Sequence, residues 1–473
     1  MVGKVLNVLS GPVHGREAGR AMGHSAGTEA AKAAGRDARK AMPRSRLADW
    51  DPAARPRAAL DVLVSQHGER EAALLPIRYG RMSSSPWAYL RGAAAVMATD
   101  LALYPNTGLT VQLCGDAHVL NYGLWASPER NLTFDLRDFD ETLPGPFEWD
   151  VKRLAASLLV CAAENTLPDR IGAAAVDAAA TAYSTHMRRY AALSELDVWY
   201  DRIDVDGPLS SLPPRDRREM AERIRKQAQR RTSAGAFQKM TEIRDGRRRI
   251  TDDPPFRVHL EGGADDAQQA ETVQQVFTSY TTTVPEQLTR LLKRFTLTDV
   301  VRQVVGVGSV GMRVYLALAE GRSGEAPLFV QIKQASASVY ESHLAPSKHN
   351  NHGQRIVVGQ HLMQSATDVF SGWTHLEGHD YYVRQFRDMK IIPDGRRIAP
   401  VFTEFAAACG HALAKAHARS GDPVAITAYI GRGRAFGAAI GSYARGYADQ
   451  TRLDHADLLT ATTNGHIETA PGW

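Results

Sequence analysis

Apolar positions change their spacing twice along the chain, and each change marks a change of element. From Leu47 onward they recur at helical intervals. Residues 86–104 predict one helix with proline in its first turn, closed by Pro105, Asn106 and Gly108. Residues 110–116 predict a short β-branched strand running into a loop, and residues 131–141 a second strand with its exit loop. Asp150 is positioned to open another helix, with Leu154, Ala155, Leu158, Leu159 and Ala162 on one face, and helix continues to about Leu193. After about Thr296 the spacing becomes that of strands. Residues 300–311, 313–321 and 327–335 are β-rich and joined by glycine-bearing turns, and residues 381–390 predict a further strand. Helical spacing returns at Ala399, where Phe405, Cys409, Leu413 and Ala416 share a face, and residues 441–459 predict the last helix. The expected class is α+β. Residues 1–43 form an arm that is mobile or loosely docked. Residues 44–295 begin a helical lobe, 296–395 form a β-rich lobe, and 396–473 return to complete the helical one.

Composition narrows this picture a little. The 473 residues correspond to about three domains, or two large lobes. Hydrophobic residues at 44% and charged residues at 23% are the balance of a globular protein. A net charge of +5 over so long a chain names no polyanionic partner, so nucleic acid is not expected. The strongest local bias is residues 215–249, with thirteen Lys/Arg against five Asp/Glu, which predicts a solvated helical insertion or a docking face for an anion. Cys114, Cys161 and Cys409 lie far apart with no CxxC pair, which fits a reducing cytoplasm. No apolar run reaches membrane-spanning length, and the first residues lack the core of a secretory signal.

Four constellations carry candidate chemistry. In the loop Cys114–Asn121, Asp116 precedes Asn121 by five residues, the spacing of a phosphoryl-transfer loop. There an aspartate accepts the proton of the attacking hydroxyl and an asparagine oxygen holds magnesium. Thirteen residues past Asn121 begins the acidic segment Phe134–Glu141. Clustered carboxylates after a strand suit Mg²⁺, a cation that prefers oxygen ligands. Asp138 is the best match to a second metal ligand, with Asp135 and Asp140 as competitors. Residues Gly306, Gly308, Ser309 and Gly311 belong to a G-x-G-x-x-G followed by strand-like sequence, the arrangement of a glycine-rich hairpin over phosphates rather than of a dinucleotide fold. Lys333 lies on the next strand, twenty-two residues past Gly311, where a lysine reaches α/β-phosphates. Glu341 is the nearest candidate to orient it. Asp150 can cap its helix or brace the catalytic loop from behind. Arg78, Arg81, Arg91 and Arg153 flank the first two motifs, and Arg384, Arg387 and Lys390 follow the later strand. Each can recognise phosphate or carboxylate. His118 is expected to be structural.

Over roughly residues 45–455 the chain resembles the uncharacterised bacterial family known as domain of unknown function 2252. The segments that carry this include RYGRMSSSPWAYLRGAAAVMATDLA, CGDAHVLNYG, FDLRDFDETLPGPFEWDVKRLAAS, GVGSVG, YYVRQFRDMK and LAKAHARSGD. More distantly it is similar to the protein-kinase-like superfamily, in particular aminoglycoside phosphotransferases and choline kinases. Residues 114–121 match their H-G-D-x-H-x-x-N loop with Cys114 in place of the first histidine, and Asp138-Phe139-Asp140 match their I-D-[FW]-[DE] segment. That resemblance implies Asp116 as catalytic base, Asn121 and Asp138 as metal ligands, and Gly306–Gly311 and Lys333 on the phosphates of ATP. It also implies a two-lobed fold in circularly permuted order, because the glycine hairpin comes about 190 residues after the catalytic loop instead of before it.

The expected function is ATP- and Mg²⁺-dependent phosphoryl transfer to a hydroxyl of a small molecule or protein. Transfer of AMP on the same scaffold is one alternative, and a nucleotide-sensing pseudokinase another. A metallophosphoesterase accounts for Asp116-Ala117-His118, but the later metal-binding segments of such enzymes are missing from the sequence.

Overall fold

The structure is a computed structural model. It describes residues 26–205, 214–229, 233–244, 246–260, 264–321, 327–386, 389–391 and 395–471. Residues 1–25 of the expected arm, Arg230 and Arg231 of the basic stretch, and Arg387 lie outside the described residues.

Four short strands frame the first two motifs: β1 (Thr110–Leu113), β2 (Tyr122–Ala126), β3 (Leu132–Leu136) and β4 (Leu143–Pro146). β2 and β3 form an antiparallel hairpin with Tyr122 opposite Leu136, and β1 pairs with β4, Leu113 opposite Leu143. The two ladders bring the loop after β1 and the loop after β3 side by side. β2 and β3 are buried along their whole length, which is why they lack the alternation of a half-exposed strand.

The basic stretch contains the helix Pro214–Gln229 and a hairpin of β5 (Thr241–Arg244) and β6 (Arg247–Ile250). The main sheet follows: β7 (Arg257–His259), β8 (Phe295–Gln303), β9 (Val314–Gly321), β10 (Leu328–Ala335), β11 (Gly372–Leu376) and β12 (His379–Gln385). Its order is β11-β12-β10-β9-β8-β7, with every neighbouring pair antiparallel. The period-two alternation of β9 serves two layers. Tyr315, Ala317 and Ala319 pack against the helix Ala264–Tyr280, while Leu316 and Leu318 pack with Met240 and Ile250 on the other face.

The helical core is drawn from both sides of this sheet in sequence. The helices Phe147–Glu164 and Asp169–Tyr190 precede the sheet, and Phe402–Ser420 and Arg434–Thr463 follow it, yet all four share one apolar core. Small residues permit close approach. A side-chain carbon at Gly410 would lie 2.2 Å from the carbonyl oxygen of Ala179. Among the described residues no helix is long and apolar enough to cross a membrane.

Three local expectations are corrected. The helix predicted over residues 86–104 is two helices, Pro86–Gly92 and Ala94–Ala102, broken at Ala93 (φ −110°, ψ 35°). The helix expected to open at Asp150 starts at Phe147, which leaves Asp150 inside its first turn and not at its cap. Residues 26–41 of the arm form a firmly docked helix, since an added carbon at Gly35 would meet the Ala425 carbonyl at 2.1 Å.

Gly410→Ala is expected to force two core helices apart and to cost about 1–3 kcal/mol in a denaturant titration. An unchanged midpoint would contradict this packing.

Candidate functional site

A cleft of about 1390 Å³ opens between the main sheet and the loops after β1 and β3. Asp116, Asn121, Asp138 and Asp140 line it from the loops. Gly306, Gly308, Ser309 and Lys333 line it from the sheet. Segments some 190 residues apart in sequence thus share one cavity. Gly311 and Glu341, also expected there, are not part of its lining.

The loop after β1 is fixed from behind. Gly115 has φ +84°, and a side-chain carbon on it would sit 2.3 Å from the Glu141 carbonyl oxygen, so only glycine fits. Asp150 accepts hydrogen bonds from the amides of Cys114 (2.7 Å, Oδ2) and Gly115 (3.0 Å, Oδ1), with His417 Nε2 at 3.2 Å from Oδ2. Of its two expected roles, bracing is the one observed. Asp116 projects into the cleft. Its Oδ1 receives Arg153 Nε at 2.9 Å and Nη2 at 2.8 Å, while Oδ2 is 3.8 Å from His118 Nε2. Burial raises the Asp116 carboxyl above its usual value, and Arg153 opposes that rise. Asn121 donates through Nδ2 to the Asp116 carbonyl at 2.6 Å. Its amide nitrogen is thereby committed, and the side-chain oxygen is the end left for a ligand.

The three aspartates of the acidic segment separate cleanly. Asp135 turns into the helical core, where it pairs with Lys415 and accepts from the Ser365 amide at 3.2 Å; both charged side chains are fully buried. It is a structural ion pair, not a cleft residue. Asp140 accepts from Tyr382 Oη at 2.8 Å and pairs with Lys333. Asp138 Oδ1 is buried and has no hydrogen-bond partner among the described residues. Burial alone would raise the Asp138 carboxyl, but Lys333, Arg384 and Arg137 outweigh it and hold the group below the usual carboxylate range. Asp138 Oδ1 and the Asn121 side-chain oxygen are therefore the donors available to a cation. Both are oxygens, and they fit a small hard ion such as magnesium. Among the described residues no cluster of three His, Cys, Asp or Glu stands ready to hold a metal. An ion here would take its other ligands from phosphate and water.

Lys333 lies on β10 opposite Val314 and Tyr382. Burial would strip its charge, yet Asp140, Tyr382 and Asp138 more than compensate and keep it protonated. Its expected partner is corrected. Glu341 accepts from the amides of Ser338 (3.0 Å) and Ser347 (3.2 Å) and faces Arg355 at 3.6 Å, so it closes its own turn instead of reaching the lysine. The helix after β10, His352–Met363, carries no acidic residue, and Asp140 supplies the carboxylate from across the cleft.

The glycine segment is the turn between β8 and β9, as expected from strand-like sequence on both sides. Its carbonyls are tied by two arginines: Arg81 donates to Gly306, and Arg70 donates to Gly308 (2.8 Å) and Val310 (2.6 Å). The amides of Gly308 and Ser309 donate to no acceptor among the described residues. A turn whose carbonyls are held and whose amides are free is suited to an anion. Gly311 (φ +94°) shapes the turn beside Arg70 without touching the cleft. Arg70, Tyr382 and Lys415 were missed in the sequence because each acts through a tertiary partner. His118 is buried, edge-on to Trp87 at 5.6 Å.

The chain belongs to a family described as an uncharacterised protein conserved in bacteria (DUF2252), whose sequence profile matches residues 70–461. No curated protein matches the chain, and no solved structure does.

Burial pushes the Glu141 carboxyl, beside Asp140, up from 4.5 to about 7. Between those values the unfolded chain has already released this proton and the folded one has not, so stability falls as pH rises through that window. Glu141→Gln is expected to remove this slope, worth roughly 2–3 kcal/mol, in urea titrations from pH 4.5 to 7. Parallel curves for the two proteins would refute it. Asp135→Asn should cost about 3–5 kcal/mol by stranding the Lys415 ammonium in the core. A near-neutral result would show that the pair is not buried as described.

Proposed function

We propose that this family member is an ATP- and magnesium-dependent phosphotransferase with a two-lobed, kinase-like fold in circularly permuted order, acting on a hydroxyl of a small molecule or protein. The observation that carries this reading is the contact of Lys333 with Asp140 beside the unpartnered Asp138. It joins the strand expected to bind nucleotide to the segment expected to bind metal. The connection from the lysine strand through the helix His352–Met363 to β11 and β12 supports the permuted arrangement. Three free, buried cysteines support a cytoplasmic setting.

On this reading the chain's residues divide the work by position. Lys333 and the amides of Gly308 and Ser309 bind the phosphates. Asn121 and Asp138 would hold magnesium, which when bound neutralises phosphate charge. Asp116 Oδ2 takes the proton of the acceptor hydroxyl as its oxygen bonds to the γ-phosphorus and the bond to ADP breaks. Arg153 and Asp150 keep that carboxylate aimed. The ion pair of Asp116 with Arg153 favours one second reading, a nucleotide-binding module without turnover, because it engages one oxygen of the base. Transfer of AMP instead of phosphate is distinguished by product mass.

Asp116→Ala is expected to reduce ADP release by roughly 10²–10⁴-fold while magnesium–ATP still binds within a few-fold of wild type. Full activity in that variant would refute the role. Lys333→Ala should weaken nucleotide binding about tenfold or more by isothermal titration, equivalent to at least one decade in Kd. Unchanged affinity would contradict it.

A further inference from the structure

We infer that the acceptor carries an anionic group, a phosphate or a carboxylate, and that Arg91 and Arg137 seat it beside Asp116; this rests on the phosphotransferase reading. Charged side chains crowd the region of Asp138, and they come from two sides. Lys333 and Arg384 belong to the sheet. The first is matched by Asp140, and the second is anchored on Gln331 Oε1 at 2.9 and 3.0 Å. Arg91 and Arg137 come from the other side, where Asp116 stands. Arg91 ends the helix Pro86–Gly92, and Arg137 directly follows β3.

Neither arginine has a carboxylate within ion-pair distance among the described residues. Arg91 Nε is buried without a hydrogen-bond partner, and the guanidinium lies over the Trp87 ring at 5.9 Å. Among the described residues the Arg137 side chain donates to the Leu120 carbonyl alone, at 3.3 Å. Arg153, by contrast, is neutralised by Asp116 and has no charge to spare. The Arg91 and Arg137 side chains are both half-buried, feel Asp138 without a direct ion pair to it, and present a guanidinium fork that is matched to phosphate and carboxylate oxygens.

The rest of the cleft agrees. Its described lining carries ten Lys/Arg and six Asp/Glu, and Arg223, Lys226 and Lys239 of the basic stretch stand among them. Its volume of about 1390 Å³ exceeds the usual range for one small ligand, so there is room for a second substrate. An acceptor bearing amines would meet like charge here.

The test is a titration of inorganic phosphate into the full chain, alone and saturated with magnesium and a non-hydrolysable ATP analogue. Saturable phosphate binding is expected in both states. It should weaken about tenfold or more in Arg91→Gln and in Arg137→Gln and be largely kept in Arg91→Lys, with analogue affinity within about threefold throughout. Melting curves identify any variant that fails to fold. No phosphate binding to wild type, or binding unaffected by both glutamine variants, overturns the proposal. So does a loss of analogue affinity as large as the loss of phosphate affinity, which would assign these arginines to the triphosphate. ADP release is then compared for glycerol 3-phosphate, glycerate, glycerol and choline. The two anions should be preferred, and their ratio separates a phosphate from a carboxylate; preference for glycerol or choline overturns the inference. If the analogue does not bind but arginine-dependent phosphate binding remains, the phosphotransferase reading falls and the anion site stands.

Discussion

An ion pair between buried Lys333 and half-buried Asp140 joins the main sheet to the loops of the helical core, and the cleft is built around it. Taking the Lys333 ammonium out of water alone is expensive, so the lysine requires a carboxylate in place beside it. Tyr382 satisfies the second oxygen of Asp140, and Arg355 donates to the backbone carbonyls of Asp140, Thr142 and Ser336. Lysine strand, acidic turn and the helix after β10 are therefore locked as a unit. Among the described residues, the carboxylate oxygen left without a hydrogen-bond partner in that unit is Asp138 Oδ1, at the point where a cation would sit.

The same economy governs the catalytic-type loop. A single helix, Phe147–Glu164, supplies Asp150 to the loop amides, Arg153 to the Asp116 carboxylate and Ser157 to the Val119 amide. Three side chains at successive helical turns grip a loop that would otherwise be free to move. The helix Phe402–Ser420, from the far end of the chain, adds His417 against Asp150 and Lys415 against Asp135. Helices that precede and follow the sheet in sequence thus meet behind one loop.

How much of this was legible in the sequence depended on whether the signal was local. The strands around Gly306 and Lys333 and the long helices after Ala399 were readable because side-chain period alone defines them. Asp116 and Asn121 stood out by their short spacing on one loop, and both line the cleft. The break at Ala93 was not legible, since the one local mark, Gly92 just before it, is tolerated inside many helices, and its close packing on Met82 shows only in the fold. The choice among Asp135, Asp138 and Asp140 was also hidden. Adjacent carboxylates look alike until tertiary partners arrive, and those partners, Lys415 and Lys333, lie some 280 and 193 residues away. Glu341 looked suitable for Lys333 because it is near in sequence, but local amides hold it more closely than a lysine could.

The most direct measurement is a crystal structure of the full chain with magnesium and a non-hydrolysable ATP analogue. The account predicts phosphate density between the Gly306–Gly311 turn and Asp138, with Lys333 on the phosphates and the metal on Asn121 and Asp138. Nucleotide bound outside this cleft, or Lys333 on a surface remote from Asp116, Asp138 and Asp140, would contradict it.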